Sequence, residues 1–318
     1  MKYLNFVAGI TLLLITSVVV GVLLEWPDTY ITLTVCDVGQ GDAILITSFY
    51  TQILVDGGKN AAVLECLAEH MPFWDKKIEL IVATHPDADH IGGLIEVLKR
   101  YQAHQIWENG LTLGKETSIA ADFMALASFQ AELGAEVQAV TSGATVYADN
   151  GKIIGTVLAP SSNHQSIVVP NKDQTEISLL DKSSVEFASS TNTNERSIVL
   201  YFNLDGVKML LMGDLEAEGE LALLHSSLIS DVHVLKAGHH GAKTSTTSEF
   251  LHKSKPEIAL ISSGKNNSYG HPDPEVVSRL RASGAEIFRT DQHGSITFLI
   301  RDQVLGVQYL DKYREFAL

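Results

Sequence analysis

The chain has 318 residues, 45% of them hydrophobic, and 38 Asp and Glu against 23 Lys and Arg, for a net charge of −15. That length supports one large domain or two small ones with a substantial core. So acidic a chain lacks the basic footprint of a tight, non-specific nucleic-acid binder, which leaves local contacts or metal ions as the means of gripping a polyanion.

Phe6 to Leu24 carry no charge and are nearly all apolar. As a helix such a segment spans about 28 Å, close to the hydrocarbon thickness of a bilayer. Lys2 precedes it and Glu25 and Asp28 follow it, so the expected orientation has the N-terminus in the cytoplasm and the remainder outside. Val22 to Trp26 are too bulky for a small-x-small cleavage site. Residues 1–25 are therefore expected to be an uncleaved signal anchor in preference to a cleaved signal peptide. The expected location is the cell membrane, single-pass, with the catalytic domain extracytoplasmic, or secreted if the segment is cut.

Tyr30 to Cys36 reads as a strand, Asp37 to Asp42 as a tight turn, and Ala43 to Thr47 as its hairpin partner. A further strand, Ile53 to Val55, ends at Asp56-Gly57-Gly58. Turn chemistry accounts for each Gly-Asp pair singly, but their recurrence points aspartates at a common sheet edge. Free buried thiols are the default reading of Cys36 and Cys66, with an extracytoplasmic disulfide as the alternative that sequence does not establish.

The apolar run Leu80 to Ala83 reads as a buried strand, and Leu94, Ile95, Val97, Leu98 and Tyr101 as an amphipathic helix. Between them lies Thr84-His85-Pro86-Asp87-Ala88-Asp89-His90-Ile91-Gly92-Gly93. Four potential metal ligands fall within six residues at a strand-to-helix turn. Two imidazoles and two carboxylates converging there without cationic partners would desolvate and repel one another, a cost that a divalent cation removes. A capped, solvated helix start is the plainer alternative.

Residues 60–150 alternate helix and strand, with a helix expected from Lys115 to Gly134. Ser161 to Thr193, rich in Ser, Thr, Asn and Asp, reads as a polar insertion without a core of its own, with a substrate-covering loop as the sharper alternative. Ser197–Asn203 and Val207–Met212 form a hairpin around Asp205-Gly206, ending at Gly213-Asp214 and a helix from about Leu215 to Leu228. Val232 to Lys236 leads into Gly238-His239-His240-Gly241, and Ile258 to Ser262 into Tyr269-Gly270-His271-Pro272. Asp273 and Pro274 cap a helix, Glu275 to Ala282. Two strands, Ser295–Ile300 and Val304–Leu310, close the domain, placed at 30–312 with the insertion at about 161–193.

Asp56, His85, Asp87, Asp89, His90, Asp214, His239, His240 and His271 thus all fall at strand C-termini, where open α/β sheets bind ligands. No Walker A motif, dinucleotide fingerprint, Ser elbow or Cys nucleophile competes with them.

In these motifs the chain resembles the metallo-β-lactamase-fold hydrolases, and more narrowly the soluble hydrolase domain of ComEC-type DNA-uptake proteins. The motifs are Asp37 to Asp42, Val55 to Gly58, Thr84 to Gly93, Asn194 to Ser197, Met212 to Glu216, Lys236 to Gly241 and Tyr269 to Pro272. The resemblance implies a four-layer αβ/βα sandwich and two divalent metal ions, Zn²⁺ or Mn²⁺, bridged by Asp214. It assigns His85 and Asp87 to one ion, and Asp89, His90 and one of His239 or His240 to the other. Asp56 would orient a ligand histidine, and His271 would stand by the substrate; Asp89 and His271 are the candidate catalytic groups. Most of the superfamily has His at the Asp87 position, and many members have a metal-binding His where Asn194 falls. Both exchanges make the site harder and favour Mn²⁺ or Mg²⁺ more than an all-histidine cage would. Lys243 and Ser245 are candidate phosphate contacts.

Two metals roughly 3.5–4 Å apart can bring a bridging water's pKa near neutral and hold a scissile group in line. The implied function is a phosphodiesterase or nuclease, with DNA the leading substrate. A small surface phosphodiester, a lactone or another ester is the alternative the acidic charge keeps open, and a metal-holding module without turnover is a third. ComEC proper couples this domain to a multi-helix channel; with one expected membrane segment here, DNA translocation is not implied, and no protein partner is inferable.

Overall fold

The computed structural model describes residues 2–24, 30–110, 118–161, 192–310 and 312–316. Nearly all of the polar insertion at about 161–193, and the first residues of the helix expected from Lys115, lie outside the described residues.

Helix α1 (Lys2–Leu24) covers the apolar N-terminal run. Its described side chains, Asn5 to Val7 and Gly9 to Val20, are exposed. Among the described residues no helix is long and apolar enough to cross a membrane. The expectation of a helix over Phe6–Leu24 therefore holds, whereas the membrane span does not follow from the described residues.

Two sheets carry the rest. In the first, β1 (Ile31–Val35), β2 (Ile44–Ser48), β3 (Thr51–Val55), β4 (Lys77–Val82), β5 (Gln102–Glu108) and β6 (Glu136–Ala139) lie side by side in chain order, and β14 (Ile296–Arg301), β15 (Val304–Tyr309) and β16 (Lys312–Phe316) extend the β1 edge. The second runs β13 (Glu286–Arg289), β12 (Ile258–Ile261), β11 (Val234–Lys236), β10 (Val207–Leu211), β9 (Val199–Leu204), β8 (Ile153–Ala159), β7 (Thr145–Ala148). Residues of opposite parity along a strand face opposite ways, and here both faces are apolar. Ile44, Ile46, Ile53, Val55, Met209, Leu211, Ile258 and Leu260 join one cluster between the sheets. Leu45 and Leu54 instead pack with α2 (Val63–His70), α3 (Ala88–Leu98) and α4 (Ser118–Glu132). Leu210, Ala259 and Ile261 pack with α5 (Ala217–Leu223), α6 (Ser248–Ser254) and α7 (Pro274–Ala282). Three apolar layers separate four structural ones, helix, sheet, sheet, helix.

The parallel pairs β3–β4–β5 and β10–β11–β12–β13 bring their C-terminal ends to the sheet edges where the motifs sit. Helix α5 is shorter than the expected Leu215–Leu228. Cys36 and Cys66 are joined as a disulfide rather than held as free thiols, tying the end of β1 to α2.

Candidate metal centre

Asp56 follows β3 with a left-handed φ of 60°, which Asp tolerates better than most residues. Its Oδ1 accepts from the Thr84 amide at 2.8 Å and its Oδ2 from the Thr84 hydroxyl at 2.7 Å, binding the ends of β3 and β4 together. Oδ2 also lies 2.7 Å from His90 Nδ1, which fixes that ring and turns its Nε2 inward. The His90 turn can approach because Gly93 lies against Gly57: a Cβ on Gly93 would sit 1.8 Å from the Gly57 carbonyl oxygen. Within that turn Asp87 is the helix N-cap, its side chain about half exposed, and Asp89 lies in the first turn.

From the second sheet, Gly213 (φ 53°) turns the chain after β10 and delivers Asp214, 3% exposed, to the centre. His239 and His240 follow β11 with φ of 43° and 53°, two successive non-glycine residues in the left-handed region. Strain of this kind persists only where the surroundings impose it, and it collects at functional sites. Ser245 does the imposing here: it is fully buried and its hydroxyl donates to the Gly238 and Ala242 carbonyls at 2.7 and 2.9 Å. His240 Nδ1 meets the Ser262 carbonyl at 3.1 Å, so this nitrogen carries the proton and Nε2 faces the site. His239 Nδ1 meets Glu216 at 2.7 Å with the same result.

The side chains converge on Asp214. Its Oδ2 is 3.7 Å from His85 Nε2, 3.6 Å from His239 Nε2 and 3.5 Å from His240 Nε2, and its Oδ1 is 3.2 Å from His90 Nε2. Asp87 approaches His85 Nε2 at 3.8 Å and Asp89 approaches His240 Nε2 at 3.5 Å. All seven residues expected as ligands therefore meet in one place, and both adjacent histidines face it.

Of the other candidates, Asn194 sits behind His239, its amide nitrogen 3.4 Å from Nδ1. His271 is half-buried, its ring 5.6 Å from that of His239. Lys243 points away, into an exposed ion pair with Glu275 at 2.6 Å, and Ser245 is enclosed as a loop brace. Neither is placed to meet a phosphate.

Sequence reasoning passed over Asp42 and Lys236. Asp42 Oδ1 stands 3.3 Å from His240 Nδ1 and Oδ2 pairs with the buried Lys236 ammonium. Asp42, His90, Asp214 and His240 form a compact buried set of metal-ligand types. With Lys236 on one oxygen, Asp42 is better suited to orienting His240 than to binding an ion. The available signal was a lysine closing an apolar strand, which needs a buried partner.

The electrostatics strain in opposite directions. Burial depresses the His85 pKa, and the His90 ring adds to it. Burial opposes charging His90 too, but the carboxylates of Asp214 and Asp56 outweigh it and raise that pKa well above the ordinary value. His240 is likewise pushed up to about 9, by Asp214 and Asp42 against burial. Such a cluster is short of positive charge. His85 Nε2 and Asp214 Oδ1 are buried and make no hydrogen bond. Buried polar atoms left without hydrogen bonds around one shared carboxylate, in a mixed imidazole and carboxylate set, suit a divalent cation.

A family model described as the metallo-beta-lactamase superfamily matches residues 37–265. ComE operon protein 3 of Bacillus subtilis is 29% identical over 84% of this chain and 33% of its own length. Competence protein ComA of Neisseria gonorrhoeae is 28% identical over 91% of this chain and 35% of its own. The chain thus spans about a third of these relatives. Among solved structures, the metallo-beta-lactamase fold protein YhfI from Bacillus subtilis aligns with a TM-score of 0.50 at 11% identity, covering 84% of this chain and 99% of that one, a likeness of fold.

Proposed function

Since the chain belongs to the metallo-beta-lactamase superfamily and is a metal-dependent hydrolase, we propose that it cleaves phosphodiesters at a two-metal centre, with DNA the leading substrate. The observation that carries this reading is the convergence of four histidines and three carboxylates, among whose buried atoms His85 Nε2 and Asp214 Oδ1 make no hydrogen bond.

Ions held there by His85, Asp87, Asp89, His90, Asp214, His239 and His240 would supply an activated water and neutralise charge developing on phosphorus. The chain's own residues do the rest. Asp56, Glu216 and Ser262 hold the protons on the outward nitrogens of His90, His239 and His240, leaving each Nε2 free to bind. Burial and the neighbouring His239 lower the His271 pKa, so its ring is neutral near pH 7 and donates one N–H to a substrate oxygen. Similarity to Competence protein ComA, together with the resemblance to ComEC-type DNA-uptake proteins, supports DNA as substrate. The net charge of −15 favours a second reading, a small surface phosphodiester.

Display outside the cytoplasm is part of the same proposal. The Cys36–Cys66 disulfide, which suits an oxidising compartment, supports it. The full chain, loaded separately with Mn²⁺ and Zn²⁺, should cut single- or double-stranded DNA, and Asp214→Ala should not. Cleavage of a generic diester alone would move the substrate to small phosphodiesters. No cleavage despite bound metal would end the phosphodiesterase reading.

A further inference from the structure

Beside the metal centre, the segment between β12 and α7 displays an aromatic ring that the fold does not bury. Tyr269 is 63% exposed, although burying an aromatic ring is ordinarily among the larger gains a residue can make. The exposure is not slack. Asn267 ties the loop to itself: its side-chain nitrogen donates to the Gly264 and His271 carbonyls at 2.9 and 2.6 Å, and its oxygen accepts from the Tyr269 and His271 amides at 3.1 and 3.0 Å. The loop is thereby clamped on both sides of the ring.

Orientation gives the ring a use. Tyr269 lies nearly parallel to His271, 13° between planes and 6.0 Å between centroids. The His271 ring in turn stands 5.6 Å from that of His239, whose Nε2 faces Asp214 at 3.6 Å. An ordered row of rings therefore leads outward from the metal centre and ends in a flat face open to solvent.

We propose that Tyr269 is a stacking platform for an unpaired nucleobase of the strand whose phosphodiester is held at Asp214. This rests on the phosphodiesterase reading and deepens it, naming a single-stranded nucleic acid as the substrate class. A net charge of −15 gives the chain little long-range attraction for a phosphate backbone. Stacking on a π-face is indifferent to charge and accepts every base, so it supplies affinity where electrostatics do not.

The test uses the full chain loaded with Mn²⁺ and two hydrolysis-resistant phosphorothioate single strands of equal length, one carrying 2-aminopurine and normal bases and one abasic. Wild type should bind the base-bearing strand more tightly and quench its fluorescence. Tyr269→Ala should weaken that binding roughly 10- to 100-fold, with the abasic strand unaffected and Tyr269→Trp close to wild type. Equal loss on both strands, no loss, or no preference for bases in wild type overturns the platform. Cleavage of an abasic strand with ordinary phosphodiester linkages by Mn²⁺-loaded wild type keeps the phosphodiesterase reading alive in that event. Absence of all cleavage with metal bound sinks that reading, while a base preference lost in Tyr269→Ala would still support the platform.

Discussion

Lys236 and Asp42 form an ion pair sealed inside the protein, their side chains 0% and 2% exposed. Burial alone would raise the Asp42 pKa; the Lys236 ammonium and the His240 ring reverse this and hold the carboxyl well below its ordinary range. Lys236 also donates to the Gly213 carbonyl at 3.3 Å, so one ammonium joins the turn that delivers Asp214 to the turn after β1.

Breaking that pair should cost more than deleting it. Lys236→Met leaves a buried carboxylate without its cation and should destabilise the fold by about 3–5 kcal/mol, as should Asp42→Leu by stranding the lysine. The double variant should lose less than either single one in urea unfolding. A double variant as unstable as the sum of the two would show that the pair is not coupled.

Divalent metal should stabilise the folded chain through Asp214. At a free metal concentration a hundred times Kd, the gain is about 2.7 kcal/mol for each site. Thermal unfolding of wild type should shift upward with Mn²⁺ or Zn²⁺ and return on chelation, and Asp214→Ala should show little shift. An unchanged response in that variant would place the ions elsewhere.

Acidification should weaken the fold through His233. Burial lowers its pKa below the usual 6.5, and its Nδ1 accepts a hydrogen bond from the Lys208 amide at 3.1 Å, which a protonated ring could not do. A group with a depressed folded pKa binds fewer protons folded than unfolded, so its contribution is complete above about pH 6.5 and is lost as pH falls through the folded value. His233→Asn, which keeps an acceptor but does not titrate, should flatten the urea midpoint between pH 7 and 5 relative to wild type. Identical slopes would remove His233 from the account.

The Cys36–Cys66 bridge closes a loop with a sequence separation of 30, which constrains the unfolded chain by about 3–4 kcal/mol in the chain-entropy account. Replacing both cysteines with Ala should lower stability by that order in denaturant unfolding. Unfolded, unreduced wild type should show no titratable thiol; two thiols would contradict the bridge.

Local pattern determined a large part of this protein. Continuous apolar runs located β1 to β4 and β8 to β12, because a strand buried on both faces needs apolar side chains at nearly every position. Glycine-flanked His and Asp at strand ends located the site, because only a turn can present so many ligand types at once. The Asp205-Gly206 hairpin, with φ of 48° and 92°, was legible for the same local reason.

What the tertiary structure alone decided depends on residues far apart in the chain. Lys236 and Asp42 meet only when the two sheets stack, so neither could be paired from its neighbours. Cys36 finds Cys66 only when α2 folds back over the first sheet, and reading both as free thiols followed from having no such distance in hand. His239 and His240 are equivalent in sequence; Glu216 and Ser262 select the nitrogen each presents, and Asp214 lies within 3.6 Å of both. Ligand chemistry is a property of side-chain type and can be read along one strand end. Protonation, orientation and partnership are properties of contact, and contact here is made between sheets.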